Sequence, residues 1–97
     1  MKNVLWFLLA GTRGGEMRVR ILKLILQKPR NAHQLSKELS VDYKTVQHHL
    51  RMLVDHHVVT ATGDYGAVYF VSPEMEKQLP LLQDILNRFG TDLGKSS

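Results

Sequence analysis

The sequence predicts a mostly α-helical domain that carries one small β-hairpin, and three stretches carry that expectation. Residues 42–53, DYKTVQHHLRML, set Val46, Leu50 and Leu53 at helical spacing behind Asp42, a side chain suited to cap a helix start. Residues 31–40, NAHQLSKELS, form a second short capped unit immediately upstream. Residues 58–62 and 67–71 are rich in β-forming residues and flank the turn sequence GDYG.

Residues 1–10, MKNVLWFLLA, read as a short helix in which Val4, Leu5, Trp6, Leu8 and Leu9 make the surface apolar nearly all round. A secretory signal is the competing reading, but seven apolar residues are the lower limit for its hydrophobic region, and a membrane span needs about 20. One small domain cannot cover such a helix on every side, and an uncovered apolar patch usually marks a protein contact. The glycine-rich GTRGG segment then breaks the helix.

Residues 16–28 are expected to be helical, with Met17, Ile21, Leu22, Leu24 and Ile25 in an apolar arc wide enough to be covered from two sides. Pro29 ends this helix. Arg13, Arg18, Arg20, Lys23, Lys28 and Arg30 face Glu16 alone, which makes this the most basic part of the chain. Either it is a solvated charged face, or it contacts the phosphates that flank a groove.

In residues 31–40, Asn31 is a cap and Gln34 stands three residues on, as a capping box requires. Ala32, Leu35 and Leu39 supply the apolar stripe. Only a few residues separate this helix from the one capped by Asp42, which is the helix-turn-helix pattern, with Leu35, Leu39, Val41, Val46 and Leu50 as its internal core. In that pattern the second helix enters the major groove. Tyr43, Lys44, Thr45, Gln47, His48 and Arg51 lie off the apolar stripe, and an isolated helix with such a face could simply be solvated. Behind a capped first helix the same face becomes a reading surface. Lys44 suits guanine acceptors or phosphate, and Gln47 suits adenine.

The hairpin completes a winged helix-turn-helix, and it departs from a strong minor-groove reader. Residues 58–71 contain no Arg or Lys, and Asp64 occupies the tip, so DNA contact there would rest on Thr60, Thr62 or Tyr65. Ser72 and Pro73 start the last helical region. Its stripe is Met75, Leu79, Leu82, Ile85, Leu86 and Phe89; Pro80 is expected to kink or restart it, and Gly90 to stop it ahead of a polar tail.

At 97 residues this is one domain, and such a chain buries about two-thirds of its unfolded surface. The expected division is residues 1–10 as an N-terminal helix, 16–71 as the winged core and 72–90 as a C-terminal helix. A net charge of +4 and a pI near 9.6 favour an anionic partner, nucleic acid first. Without cysteine there is neither a disulfide framework nor a thiolate metal site, in keeping with a cytoplasmic protein. His48 and His49, like His56 and His57, are adjacent pairs whose side chains diverge by about 100° on a helix, so neither pair chelates one ion. No metal or other cofactor is expected. No nucleophile motif, phosphate loop or spaced carboxylate pair is present, so no enzyme activity is expected either.

The run NAHQLSKELSVDYKTVQHHLRMLVDHHVV, followed by GDYGAVYFVS and preceded by TRGGEMRVRIL, resembles archaeal ArsR-type winged-helix regulators across residues 12–72, most specifically at YKTVQHHL. The resemblance implies a homodimeric transcription regulator that binds double-stranded DNA through a recognition helix at residues 43–54. A winged-helix module that binds protein instead of DNA is the alternative, and would place apolar residues where Lys44, Gln47, His48 and Arg51 stand. Base contacts fall to Lys44, Gln47 and His48. Tyr43 and Thr45 suit phosphate or the thymine methyl, and Arg51, Arg13 and Arg18 suit the backbone. Terminal helices commonly pair such regulators, which assigns Leu5, Trp6, Leu9, Leu82, Ile85, Leu86 and Phe89 to the dimer interface.

Overall fold

The computed structural model describes residues 2–11, 13–63 and 67–95, and no side chain is described for Lys2 or beyond Arg88. The expectations for Asp64, Tyr65 and Gly66, and for the Phe89 side chain, lie outside the described residues. Along the chain come α1 (Lys2–Leu9), α2 (Gly15–Gln27), β1 (Arg30–Asn31), α3 (Ala32–Leu39), α4 (Tyr43–Asp55), β2 (Val59–Thr62), β3 (Val68–Val71), α5 (Pro73–Glu76) and α6 (Leu79–Lys95). The predominantly helical chain with a small antiparallel sheet is a winged helix-turn-helix, as its sequence predicts.

Local chemistry sets most of these boundaries. At α3, Asn31 Oδ1 accepts from the Gln34 amide at 2.8 Å, and the Asn31 amide donates to Gln34 Oε1 at 2.9 Å, so two orphan donors are satisfied reciprocally. At α4, Asp42 Oδ2 accepts from the amides of Lys44 and Thr45. Ser72 Oγ accepts from the Met75 amide and donates to the His57 carbonyl, so one hydroxyl both starts α5 and holds the corner after α4. Pro80 is the second residue of α6, where its missing amide leaves no helical bond unmade.

Two features differ from the expectation. The two-residue strand β1 is too short to show any alternation in the sequence; it pairs antiparallel with β3, Arg30 opposite Tyr69 and Asn31 opposite Val68. The sheet order is therefore β1-β3-β2, with Val59 opposite Val71 and Thr62 opposite Val68 in the hairpin. Gly90 does not end the last helix, which runs on to Lys95. An interior glycine costs about 1 kcal/mol against alanine, and no proline follows to forbid continuation.

The core lies between α2, which packs against α1, α6, β3 and the helix-turn-helix, and the elements around it. This corrects the interface assignment. Leu5 and Leu82 are fully buried, and Leu9, Ile85 and Leu86 are nearly so, all within the single chain. The wide arc of α2 is what takes up the apolar excess of the terminal helices: α1 and α6 both pack on it and on each other. Burying each such leucine or isoleucine contributes about 1.5–3 kcal/mol. Of the residues expected at the interface, Trp6 stays half-buried. Phe7, next to it on α1, is half-exposed and is the large apolar side chain left open among the described residues. No described helix is long and apolar enough to cross a membrane.

Candidate nucleic-acid interface

The turn between α3 and α4 places the second helix across the first. Ser40 takes a left-handed conformation at φ 55°, its amide donating to the Lys37 carbonyl. Ser36 Oγ then donates to the Val41 carbonyl at 2.6 Å, and the Val41 amide returns to the Ser36 carbonyl at 3.0 Å. Leu35, Val46 and Leu50 are fully buried where the helices meet. With that side fixed on the core, Lys44, Thr45, Gln47, His48 and Arg51 are all exposed on the other.

Tyr43 is only half-buried, and its ring stacks on His33 with centroids 4.3 Å apart and planes 20° apart. Its hydroxyl accepts from Gln47 Nε2 at 2.9 Å. A cavity of about 190 Å³ opens beside this trio, lined by Asn31, His33, Tyr43, Gln47, Ala67 and Tyr69. A second, of about 230 Å³, continues along α4 between Gln47, Arg51, Val54, Ala61 and Tyr69. Together they form a groove between α4 and the hairpin, with Gln47 and Tyr69 facing both parts. Sequence reasoning misses His33 and Tyr69. His33 reads as an isolated histidine, and Tyr69 comes near α4 only through the pairing of β3 with β1 and β2.

The basic segment before α3 divides. Arg13 and Lys28 are exposed. Arg18, expected at phosphate, is instead buried at 1% exposure. Its guanidinium donates to the carbonyls of Leu8 at 2.7 Å and Arg13 at 3.2 Å, and lies 3.0 Å from His49 Nδ1. A guanidinium enclosed by internal acceptors cannot reach DNA, and this overturns its assignment. Arg30 is also buried, bonded to the Leu24 and Lys28 carbonyls and paired with Glu38. Arg20 pairs with Glu16 one turn away at 3.3 Å.

His49 is buried while His48 beside it is exposed, their ring centroids 5.6 Å apart. Burial, then the Arg18 charge, then His48 hold the His49 pKa below the ordinary imidazole value. Its Nδ1 must accept from Arg18, which has no acceptor of its own, so the ring is neutral with its proton on Nε2. Among the described residues no three His, Asp or Glu side chains converge as a metal site would require.

Known proteins share both this sequence pattern and this geometry. Residues 15–61, from α2 into β2, match the sequence model of the family described as "Bacterial regulatory protein, arsR family". Comparison with curated proteins finds no match. Among solved structures, Rv0081 of M. tuberculosis superposes with a TM-score of 0.66 at 24% identity, covering 94% of this chain and 90% of that one. The homodimeric winged helix-turn-helix DNA-binding domain Mb0332 of Mycobacterium bovis, described as a possible ArsR-family regulator, gives 0.68 at 18% identity, with 89% and 79% covered. A MarR transcriptional regulator from Methanosarcina mazei gives 0.69 at 20% identity, with 99% and 73% covered.

Proposed function

We propose that this chain is a transcription regulator of the archaeal ArsR type that binds duplex DNA as a homodimer and reads it with α4. The observation that carries the proposal is the two-sidedness of that helix. Val46, Leu50 and Leu53 are fully buried, while Lys44, Thr45, Gln47, His48 and Arg51 are exposed together behind the cap at Asp42. The match of residues 15–61 to the arsR family model and the fold shared with known regulators support it. So does the net charge of +4, because phosphate neutralisation supplies much of the affinity of such proteins.

In this proposal the N-terminal residues of α4 enter the major groove. Lys44, Gln47 and His48 contact base edges, Tyr43 and Thr45 contact phosphate or the thymine methyl, and Arg51 and Arg13 clamp the backbone. The hairpin carries no Lys or Arg, so it adds no positive charge to the contact. Two copies join through the outer faces of the terminal helices, where Trp6 and the exposed Phe7 remain after the core has taken Leu5, Leu9, Leu82, Ile85 and Leu86. The homodimeric state of the M. bovis domain supports the dimer. The proposal places the protein in the cytoplasm with DNA and gives it no enzymatic role.

Selection of bound fragments from random duplex DNA, at stated salt, tests the proposal. A palindromic consensus is the expected result, since a two-fold dimer reads two half-sites about one helical turn apart. Recovery of no consensus, with binding that salt abolishes for all sequences alike, would sink it in favour of a module that binds protein.

A further inference from the structure

Arg18 plays no part in the DNA contacts proposed above, yet it is the largest fully buried side chain described. It sits where α1, the glycine-rich turn and α4 meet. Nε donates to the Leu8 carbonyl at 2.7 Å, among the last carbonyls of α1, which helical bonding leaves open and which favour a cation. Nη2 donates to the Arg13 carbonyl in the turn at 3.2 Å. Nη1 lies 3.0 Å from His49 Nδ1 and 3.4 Å from the Met52 sulfur, both on α4. One planar group thus connects the end of α1 to the back of the helix whose front carries Lys44, Gln47 and Arg51.

The turn is fitted to this joint. Gly14 has φ +90°, and a Cβ there would stand 2.7 Å from His49 Cε1 and 3.2 Å from Arg18 Nη1. A Cβ on Gly15 would stand 2.5 Å from the Leu9 carbonyl oxygen. The backbone of the turn therefore lies against both helices with no room for a side chain, so α1, the turn and α4 have little freedom to shift independently.

We propose that Arg18 is a positioning residue that seats α4 against the end of α1 through neutral His49, and that uptake of a proton at His49 releases this seat. Arg18 offers only donors, so the bond exists only while His49 Nδ1 has a free lone pair. A protonated ring would turn an N–H toward the guanidinium and set two cations at the 3.0 Å now bridged by a hydrogen bond. The charged and titratable groups that act on His49 are Arg18 from α2 and His48 on α4 itself. From α3 and β2, which also pack on α4, no charge among the described residues joins that set.

The direction follows from linkage. The folded pKa of His49 is held below the ordinary imidazole value of 6.5, so the unfolded chain takes up the proton first. The stability contributed by the neutral ring is complete above that value and is lost as pH falls from it toward the folded pKa. For DNA binding the inference rests on the function proposed above; the joint itself does not.

The test uses the full chain without DNA, between about pH 7.5 and about pH 5, the range in which histidine titrates. Amide protection at the end of α1 and along α4, corrected for the intrinsic pH dependence of exchange, is expected to fall together as pH falls, with a falling melting temperature. His49→Gln can still accept from Arg18 but takes up no proton, and is expected to lose most of this acid-side change. With the selected operator, wild-type affinity should fall several-fold more than that of His49→Gln over the same range; His48 is present in both proteins and cancels. Identical pH profiles for the two proteins, or a loss of protection in α4 without any in α1, would overturn the proposal. If His49→Gln does not fold, the tautomer of wild-type His49 by nitrogen NMR near neutral pH decides: a proton on Nε2 supports the joint and a proton on Nδ1 refutes it. Absence of DNA binding at every pH would defeat the proposed function, while the exchange and tautomer measurements would still judge the joint.

Discussion

The Gln47 side-chain nitrogen donates to the Tyr43 hydroxyl at 2.9 Å, one turn back along α4, and Tyr43 in turn stacks on His33 of α3. The side chain proposed to read an adenine is thus held by one aromatic ring that is itself stacked on another. Such restraint lowers the ordering cost of binding. Gln47→Ala is expected to cost about 1–3 kcal/mol at one base position and to relax the preference there. Tyr43→Phe keeps the stack and removes the hydroxyl, so it should weaken the same preference by less. Binding curves on single-base operator variants check both; a base preference unchanged at every position in Gln47→Ala would mean that α4 does not read sequence in this way.

Arg13 and Arg18 should behave as opposites despite lying five residues apart. Arg13 is exposed, and Arg13→Ala should weaken all sequences alike and, by removing one phosphate neutralisation, reduce the salt slope by about 1. Arg18→Ala strips bonds from the Leu8 and Arg13 carbonyls and from His49. Leaving buried acceptors unpaired should cost roughly 3–5 kcal/mol and lower the melting temperature by more than about 10 °C. Thermal denaturation separates the two residues without any DNA; an Arg18→Ala protein as stable as wild type would contradict the buried network.

Assembly should respond to Phe7 and not to Leu86. A charge at the half-exposed Phe7, whose ring lies 6.4 Å from that of His56, should cost less stability than opening the core and should shift the sedimentation mass toward one chain. Leu86→Ala opens the core and should cost about 2–5 kcal/mol whatever the assembly state. A Phe7→Glu protein with unaltered dimer mass at micromolar concentration would place the contact elsewhere.

Asp42→Ala should cost about 0.5–2 kcal/mol, because the amides of Lys44 and Thr45 lose their acceptor. Asp42→Asn keeps an oxygen in place and should cost little. The loss should appear in operator affinity as well as in the melting temperature, since the first turn of α4 carries Lys44. Equal melting temperatures for the Ala and Asn variants would show that the cap contributes nothing.

The helix starts at Asn31, Asp42 and Ser72 are legible in the sequence because a cap acts on amides two or three residues away. Val46, Leu50 and the exposed face of α4 are legible because helical spacing alone separates inside from outside. Arg18 and Arg30 are not. Arginine is seldom fully buried unless paired, and what buries these two is a set of backbone carbonyls and a histidine brought in from other elements. The same limit explains the interface. Leu9 and Leu86 look surplus in their own helices, and only the packing of both helices on α2 shows that they are not. Within the groove, Gln47 is legible and Tyr69 is not, since its place beside α4 follows from strand pairing that the two residues of β1 are too short to announce.

That short strand has a mechanical consequence. Through Arg30 and Asn31 the start of α3 is fastened to the turn-side half of β3, at Tyr69 and Val68. The described strands of the hairpin are thus tied to the helix-turn-helix at a second point besides the connection from α4 to β2. An operator with one base pair inserted between its half-sites turns one site by about 34° relative to the other, given about 10.5 base pairs per turn. In the proposed dimer a pivoting wing could follow that rotation; a fastened one would pass it to the contact between the two copies. Tolerance for spacing then becomes a property of how the terminal helices meet, and substitutions around Phe7, far from any base, would widen or narrow the set of operator lengths the protein accepts.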